Sequence, residues 1–352
     1  MPDLIHGGDI YSAHVSLSQP ILDFSANINP LGLPPAVKAA AVFAIDQCVH
    51  YPDPLCRELR SAIAKQEGTT PDQILCGNGA ADLIFRLVLA LHPKNAVVLS
   101  PTFAEYEQAL ATVDCKIHRH FLLEQDEFAL TASFLDELTP QTDLVFLCNP
   151  NNPTGQVIEP SLLTEILEKC RQNYIILVMD ECFNDFLDHP KEHTLKGLVP
   201  SSPQLFILKA FTKIYAMAGL RLGYGISSNR ELIQKISDSG QPWSVSIPAQ
   251  AAGVQALRET QYLKKTAVLI SAERAYLTEQ FTQMGLRVIG SKANYIFFRA
   301  VGHENLKNEL LRRGILIRSC QNYAGLDASY YRVAVRSHRE NQILAEVLRN
   351  LI

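Results

Sequence analysis

The chain has 352 residues, of which 47% are apolar and 19% charged, with a formal net charge of −4. This is an ordinary globular composition, and it gives no reason to expect nucleic acid or an anionic membrane as a partner. No apolar run reaches the roughly 20 residues of a membrane span, and residues 1–15 lack the basic flank and apolar block of a secretion signal. We therefore expect a cytoplasmic protein with one large domain and a smaller one.

The opening segment, residues 1–45, is rich in Pro and Gly and is expected to pack on the smaller domain. Continuous apolar runs follow, separated by helix-like stretches at 80–91 and 160–172. Such runs are typical of strands buried on both faces, as in a parallel sheet, and the alternation predicts a doubly wound, mostly parallel α/β domain over residues 46–240. The predicted strands are 96–100, 143–148, 175–179, 205–208 and 224–227.

The last part of the chain has a different pattern. Residues 249–284 read as one long amphipathic helix, and a mixture of short strands and helices follows. Residues 241–352 therefore predict a helical link and a small α+β domain. Its predicted elements are strands at 294–299, 316–318 and 331–335 and helices near 304–313 and 340–351.

The eight cysteines contain no C-x-x-C pair and are spread over predicted strands and helices. Free thiols in a reducing compartment explain them better than disulfides or zinc ligands do. The closely spaced histidines, at 118 and 120 and at 189 and 193, have no Cys or carboxylate neighbours in a ligand-like spacing. We predict no metal site.

A lysine follows one predicted strand in LFILKAFTKIYAMAGLRLGYG, residues 205–225. Taken alone, Lys213 is most simply a solvated charge. A desolvated lysine amine, however, can form a Schiff base with an aldehyde. The same stretch offers Thr212 as a hydroxyl donor and Arg221 as a bidentate cation for a phosphate group.

A carboxylate lies at the end of another predicted strand, in VMDECF. Buried carboxylates are costly unless they are paired, and ligands of open α/β sheets bind at this edge. Asp180 facing a pyridinium nitrogen would keep that nitrogen protonated. A simple helix N-cap is the alternative interpretation.

Three further strings place candidate binding groups in turns. In LCGNGAADLIF, the backbone N–H groups of Gly79, Ala80 and Ala81 could receive a phosphate, although the dinucleotide fingerprint is incomplete. Phe103 in PTFAEY could stack on a flat heterocycle, or it could be a core residue. Asn152 in NPNNPTG could donate to a ring oxygen, or it could only belong to a turn.

In order along the chain, these strings resemble the fold type I pyridoxal 5′-phosphate (PLP) enzymes, the aspartate aminotransferase superfamily, over nearly the whole sequence. The resemblance implies PLP as cofactor, with Lys213 as the Schiff-base lysine and Asp180 as the partner of the ring nitrogen. It also implies a homodimer, in which Tyr51 of HYPDP contacts the cofactor phosphate of the partner subunit.

Within that superfamily, the sequence resembles the branch of histidinol-phosphate aminotransferases and L-threonine-O-3-phosphate decarboxylases. Residues 6–8, 23–32 and 315–337 favour the decarboxylases. The resemblance implies decarboxylation of L-threonine O-3-phosphate to (R)-1-amino-2-propanol O-2-phosphate for cobalamin biosynthesis; a histidinol-phosphate-type aminotransferase is the alternative. The positions that match substrate contacts in the decarboxylases are His6, Gly7, Asn27, Asn152, Arg318 and Arg332. The family implies that Arg332 holds the α-carboxylate and that Arg318 and His6 hold the substrate phosphate.

Two positions depart from the superfamily pattern. Phe183 stands where many of the aminotransferases have a Tyr that bonds the ring oxygen, and the decarboxylases share this Phe. Ala210 stands where a Ser or Thr usually binds the cofactor phosphate. One hydrogen bond, worth about 1.5–3 kcal/mol, is therefore expected to be missing.

Overall fold

The computed structural model describes residues 7–12 and 21–352. Within them the strands are β1 (Leu22–Asp23), β2 (Ile74–Gly77), β3 (Asn95–Ser100), β4 (Lys116–Phe121), β5 (Leu144–Cys148), β6 (Ile176–Asp180), β7 (Leu205–Ala210), β8 (Gly223–Ile226), β9 (Arg287–Ile289), β10 (Tyr295–Arg299), β11 (Ile315–Leu316), β12 (Arg318–Ser319) and β13 (Tyr330–Ala334). The α-helices are α1 (Pro35–Ala44), α2 (Arg57–Glu67), α3 (Ala80–Leu91), α4 (Glu105–Ala111), α5 (Pro160–Gln172), α6 (Phe211–Ile214), α7 (Arg230–Asp238), α8 (Ile247–Ala256), α9 (Thr260–Gln283), α10 (Leu306–Leu311) and α11 (His338–Arg349).

The large sheet has seven strands in the order β2-β8-β7-β6-β5-β3-β4. The five strands from β7 to β4 are parallel, and β8 is antiparallel to both of its neighbours. The central strands β5 and β7 are buried along their whole length because helices cover both faces. This confirms the predicted doubly wound, mostly parallel sheet.

Apolar side chains from the helices form a core on each face of the large sheet. Leu83 of α3, Leu110 of α4 and Ile236 of α7 pack on one face. Leu59 of α2 and Ile166 of α5 belong to the core on the other face, which continues into the last part of the chain. Across the described residues, 7–12 and 21–352, no helix is both long enough and apolar enough to cross a bilayer.

The smaller sheet is antiparallel and has the strand order β12-β13-β10-β9. The short strand β1 pairs with β11, which ties the start of the described chain to its C-terminal part. The seven-stranded sheet lies within residues 46–240 and the four-stranded sheet within 241–352. The division of the chain at residues 45 and 240 stays a prediction.

Two sequence expectations need correction. Residues 249–284 form two helices, α8 and α9, separated at Leu257–Glu259. They are separate because α8 packs on α1 and α2, whereas α9 packs on α11 and the small sheet. The sequence also gave no indication of β4, whose residues are largely exposed because it is an edge strand that pairs only with β3.

Candidate active site

A cavity of about 240 Å³ lies where the carboxyl ends of the parallel strands face the small sheet. This edge is the usual ligand site of an open α/β sheet. Most of the predicted site residues line the cavity: Gly7, Asn27, Ala80, Ala81, Phe103, Asn152, Asp180, Thr212, Lys213, Arg221, Arg318 and Arg332. The fold therefore collects into one place residues that are far apart in sequence.

Lys213 lies on α6, a single helical turn that directly follows β7. Its side chain is half-buried in the cavity wall. Burial lowers the pKa of Lys213 to about 8, and the nearby guanidinium of Arg332 acts in the same direction. Far more of this amine is therefore neutral at physiological pH than of a solvated lysine, and only the neutral amine can attack an aldehyde.

Asp180 is the last residue of β6, as predicted, and both of its carboxylate oxygens accept hydrogen bonds. The Tyr106 hydroxyl donates to Oδ2 at 2.6 Å, and the Cys182 backbone N–H donates to Oδ1 at 3.0 Å. The Tyr106 ring is itself stacked on Phe146, with 4.8 Å between ring centroids. Asp180 does not cap an α-helix. Its carboxylate is held in the wall of the cavity.

Tyr106 was missed from the sequence, although the string PTFAEY contains it. It lies in the first turn of α4, and its ring meets the Phe103 ring edge to face at a centroid distance of 5.6 Å. The spacing of three residues puts both rings on the same side of the helix start. That spacing is the signal that could have identified it.

Two glycines allow the backbone and an arginine to form a compact cradle. A Cβ on Gly79 would lie 2.5 Å from Nη2 of Arg221, and a Cβ on Gly223 would lie 2.5 Å from the Ala80 nitrogen. The N–H of Gly79 donates to the Gly77 carbonyl at 2.8 Å. Of the three predicted N–H donors, Ala80 and Ala81 line the cavity. The Gly79 N–H is already bonded, and Gly79 matters because its missing Cβ leaves room for Arg221.

We expect Gly79→Ala to weaken PLP binding by at least about tenfold, because Arg221 must move and a φ of +87° strains any other residue. The dissociation constant of PLP, measured by fluorescence, tests this. Gly32→Ala is the matched control, because Gly32 also has a positive φ, of +71°, but nothing lies within 4 Å of the added methyl group. Equal weakening in both variants would contradict the cradle.

The opposite wall of the cavity is formed by the small sheet, where Arg318 and Arg332 are direct cross-strand partners. Arg332 is buried. It donates through Nη2 to the Ser25 carbonyl at 2.8 Å and through Nη1 to the Asn152 side-chain oxygen. Its Nε is buried and has no hydrogen-bond partner among residues 7–12 and 21–352. Like charges directly opposite each other are destabilising, and an anion between them removes that cost.

Of the remaining predicted substrate residues, Gly7, Asn27 and Asn152 line the cavity. The Asn152 oxygen accepts from Arg332, so the NH2 half of that amide is the one that can donate to a ring oxygen. Asn27 is buried in the cavity wall, and Gly7 lies so close to Ser25 that a Cβ would be 2.2 Å from its carbonyl oxygen. His6 lies outside the described residues.

Tyr51 is not part of the cavity of its own chain. Its side chain is 77% exposed and stacks on Trp243, with 4.5 Å between ring centroids. Further large apolar side chains are exposed in the preceding segment: Val42, Phe43, Ile45 and Val49. A surface of this kind is typical of a contact with another chain.

A second lysine, Lys209 of β7, is buried but has a different environment from Lys213. Its ammonium lies 3.2 Å from Asp185 and 3.9 Å from Glu67, and Glu67 also accepts from the Tyr224 hydroxyl at 2.6 Å. Although burial opposes it, these carboxylates raise the pKa of Lys209. Lys209 therefore stays charged and is a poor nucleophile.

The cavity also contains side chains to which the sequence assigned no role. Cys148 and Cys182 lie near Asp180, and burial raises the pKa of both thiols, so they are not thiolate nucleophiles. Arg318 lies over the Tyr323 ring at 5.3 Å. Glu105 is the one further carboxylate among the described residues of the wall.

The residues present fit PLP. The glycine cradle presents Arg221 and helix-start N–H groups to a phosphate, Phe103 offers a ring face, and Asp180 offers a fixed carboxylate. Phe183 and Ala210, the two departures from the superfamily pattern, also line the cavity. Neither side chain can donate a hydrogen bond, and the loss of one phosphate contact at Ala210 stays a prediction.

Comparisons with known proteins match this chain over nearly its whole length. The family described as aminotransferase class I and II matches residues 19–348. A threonine-phosphate decarboxylase of Salmonella typhimurium is 40% identical, over 99% of this chain and 96% of that protein. A histidinol-phosphate aminotransferase of Methanosphaera stadtmanae is 30% identical, over 94% and 90%. The solved histidinol-phosphate aminotransferase of Clostridium acetobutylicum superposes with a TM-score of 0.88, at 30% identity, over 94% of this chain and 99% of that one.

The chain belongs to the class I and II aminotransferase family, and it is a PLP-dependent enzyme of fold type I. Among its relatives are both decarboxylases and aminotransferases.

Proposed function

We propose that this enzyme converts L-threonine O-3-phosphate into (R)-1-amino-2-propanol O-2-phosphate and CO2, a reaction of cobalamin biosynthesis. The observation that carries the proposal is the pair of facing arginines, Arg318 and Arg332, in a wall opposite the PLP cradle. A substrate with both a carboxylate and a phosphate supplies an anion to each arginine. The similarity to a threonine-phosphate decarboxylase over nearly the whole chain supports this substrate.

In the proposed site, each arginine of the small sheet holds one anionic group of the substrate. Arg332, anchored by Asn152 and Ser25, holds the α-carboxylate in a fixed orientation, and Arg318, with His6, holds the substrate phosphate. Bound PLP supplies an electron sink for the bond that breaks at Cα. Lys213, with its lowered pKa, can give up and take back a proton near neutral pH, so it is the acid that protonates Cα after CO2 leaves.

The orientation of the carboxylate decides between decarboxylation and amino-group transfer. Loss of CO2 requires the Cα–carboxylate bond to stand perpendicular to the cofactor ring, whereas transfer requires the Cα–H bond there. Two anchored arginines on one wall fix the rotation of a doubly anionic substrate. Phe183, whose ring meets the Tyr295 ring edge to face at 5.2 Å, leaves this position without the phenol common in the aminotransferases.

The alternative is an aminotransferase that acts on a phosphorylated substrate. The solved histidinol-phosphate aminotransferase that superposes on this chain is the observation in its favour. The experiment incubates the PLP-loaded protein with L-threonine O-3-phosphate, and separately with histidinol phosphate plus 2-oxoglutarate. We expect CO2 release in the first reaction and negligible glutamate in the second. Glutamate formation without CO2 release would replace the decarboxylase by the aminotransferase.

We also propose a homodimer in which Tyr51 contacts the cofactor phosphate of the partner subunit. Its exposure, its stacking on Trp243 and the fact that it does not line the cavity of its own chain support this arrangement. The neighbouring exposed apolar side chains of residues 42–49 would then be covered.

Mixing two defective variants tests the shared site. Lys213→Ala lacks the reactive amine and Tyr51→Ala lacks the partner contact, but a mixed dimer contains one site with both residues. After refolding together, we expect about a quarter of the wild-type activity, since half of the dimers are mixed and each has one intact site. Activity equal to the sum of the separate variants would contradict a Tyr51 that acts across subunits.

We propose a cytoplasmic location, in keeping with the sequence. All eight cysteines are free, which is the usual state of thiols in a reducing compartment.

A further inference from the structure

Trp243 forms a stacked pair with Tyr51 on the surface of the chain. The ring centroids are 4.5 Å apart, and the ring planes differ by 26°. Both side chains are exposed, so the pair lies outside the apolar core. Trp243 has a φ of +59°, which is uncommon for a bulky residue and persists only where the surroundings enforce it. The fold therefore maintains an unfavourable backbone conformation at the residue that contacts Tyr51.

The two segments that carry these rings are joined by one side chain. Gln250 of α8 donates through Nε2 to the Asp53 carbonyl and to the Val245 carbonyl, both at 3.0 Å. Asp53 lies two residues after Tyr51, and Val245 lies two residues after Trp243. A displacement of either segment therefore strains a hydrogen bond of Gln250, and the two rings are held in register with each other.

The segment that carries Trp243 is also anchored to α3, the helix that begins at the glycine cradle. A Cβ on Gly240 would lie 2.2 Å from Cζ of Arg86, so this guanidinium packs directly on the Gly240 backbone. Arg86 is buried and donates through Nε to Asp82 at 2.9 Å. Asp82 in turn accepts from the backbone N–H of Asn78, within the cradle, at 2.8 Å. The position of Trp243 is therefore fixed relative to the part of the fold that forms the phosphate site.

We propose that Trp243 is a positioning residue that holds the Tyr51 phenol in the orientation in which it contacts the cofactor phosphate of the partner subunit. An exposed tyrosine can adopt several rotamers, and fixing one of them on binding costs free energy. A ring that is already stacked on Trp243 has lost much of this freedom, so the phosphate binds more tightly. The inference rests on the proposed homodimer in which Tyr51 acts across subunits.

A double-mutant cycle on PLP affinity tests this role. The dissociation constant of PLP is measured on the full-length protein, from the visible absorbance of the bound cofactor, for Trp243→Leu, Tyr51→Ala and the double variant. Trp243→Leu keeps an apolar side chain and removes the ring, whereas Trp243→Phe keeps a ring that can stack. Tyr174→Leu is the matched control, because Tyr174 is also an exposed aromatic residue with a positive φ, of +57°, and does not line the cavity.

We expect Trp243→Leu to weaken PLP binding about three- to tenfold, which is the contribution of a stacked pair of rings. Trp243→Phe and Tyr174→Leu should bind PLP as the wild type does. In the Tyr51→Ala background no phenol remains to be positioned, so adding Trp243→Leu should cause no further loss.

Two kinds of failure can be told apart. Wild-type affinity in Trp243→Leu, an equal loss in Tyr174→Leu, or a full additional loss in the double variant would overturn the role of Trp243. If Tyr51→Ala alone still weakened PLP binding, the contact across the dimer would be retained. If Tyr51→Ala bound PLP as tightly as the wild type, that contact would be wrong, and the role of Trp243 would be wrong with it.

Discussion

Replacing Lys213 with alanine is expected to abolish covalent retention of PLP and to lower turnover by at least about ten-thousandfold. The variant loses both the amine that holds the cofactor and the acid that protonates Cα, and acid–base groups alone contribute about a hundred- to ten-thousandfold. Loss of the visible absorbance of the bound cofactor, together with the rate of CO2 release, measures the effect.

Lys209 is the internal comparison for this prediction. It is buried in β7, the strand that leads to Lys213, but Asp185 and Glu67 keep it charged. Borohydride reduction of the PLP-loaded wild-type protein should therefore label Lys213 and leave Lys209 unmodified. Retained full activity in Lys213→Ala, or label on Lys209, would contradict the assignment.

Asp180→Asn is expected to give the second largest effect, a fall in turnover of about a hundred- to a thousandfold. The amide matches the carboxylate in shape, and its oxygen can still accept from the Cys182 N–H while its NH2 group donates to the Tyr106 hydroxyl, so the fold should be retained. It carries no negative charge, and it therefore cannot hold a proton on the ring nitrogen. The rate of CO2 release at saturating PLP tests the prediction.

Tyr106→Phe is the matched control for Asp180→Asn. It removes the 2.6 Å hydrogen bond and keeps both the stacked ring and the charge of Asp180. We expect a loss of about tenfold, in line with about 1.5–3 kcal/mol for a hydrogen bond to a charged group, of which only part is felt in the transition state. A loss as large as that of Asp180→Asn would mean that the position of the carboxylate, and not its charge, limits the reaction.

The sequence was most informative where physical patterns are strong. Helices α3 and α5 agree with their predicted limits, and the buried strands of the parallel sheet agree within two residues at each end, because continuous apolar runs and flanking turn residues mark them. Lys213 and Asp180 were found because each is a charged residue at the end of an apolar run. Edge strand β4 was missed because its exposed surface leaves no apolar pattern.

What the sequence could not supply was the environment of side chains that come from distant segments. Tyr106 needs the position of β6 before its hydroxyl has a partner. Glu105 resembles any surface glutamate until the fold removes it from water. Arg318 and Arg332 face each other because of the register between their two strands, and neither local sequence reveals that register.

The ion pairs of Lys209 allow the substrate-binding residues to change in evolution independently of the reactive residues Lys213 and Asp180. They join the turn after Asp180 and helix α2 to the strand that leads to Lys213. None of Lys209, Asp185 and Glu67 lines the cavity, so the spacing of acid and amine is maintained by contacts that no substrate meets. Arg318 and Arg332 belong to the other sheet. Substitutions in the small sheet can thus change which substrate binds, while Lys213 and Asp180 keep their relative positions.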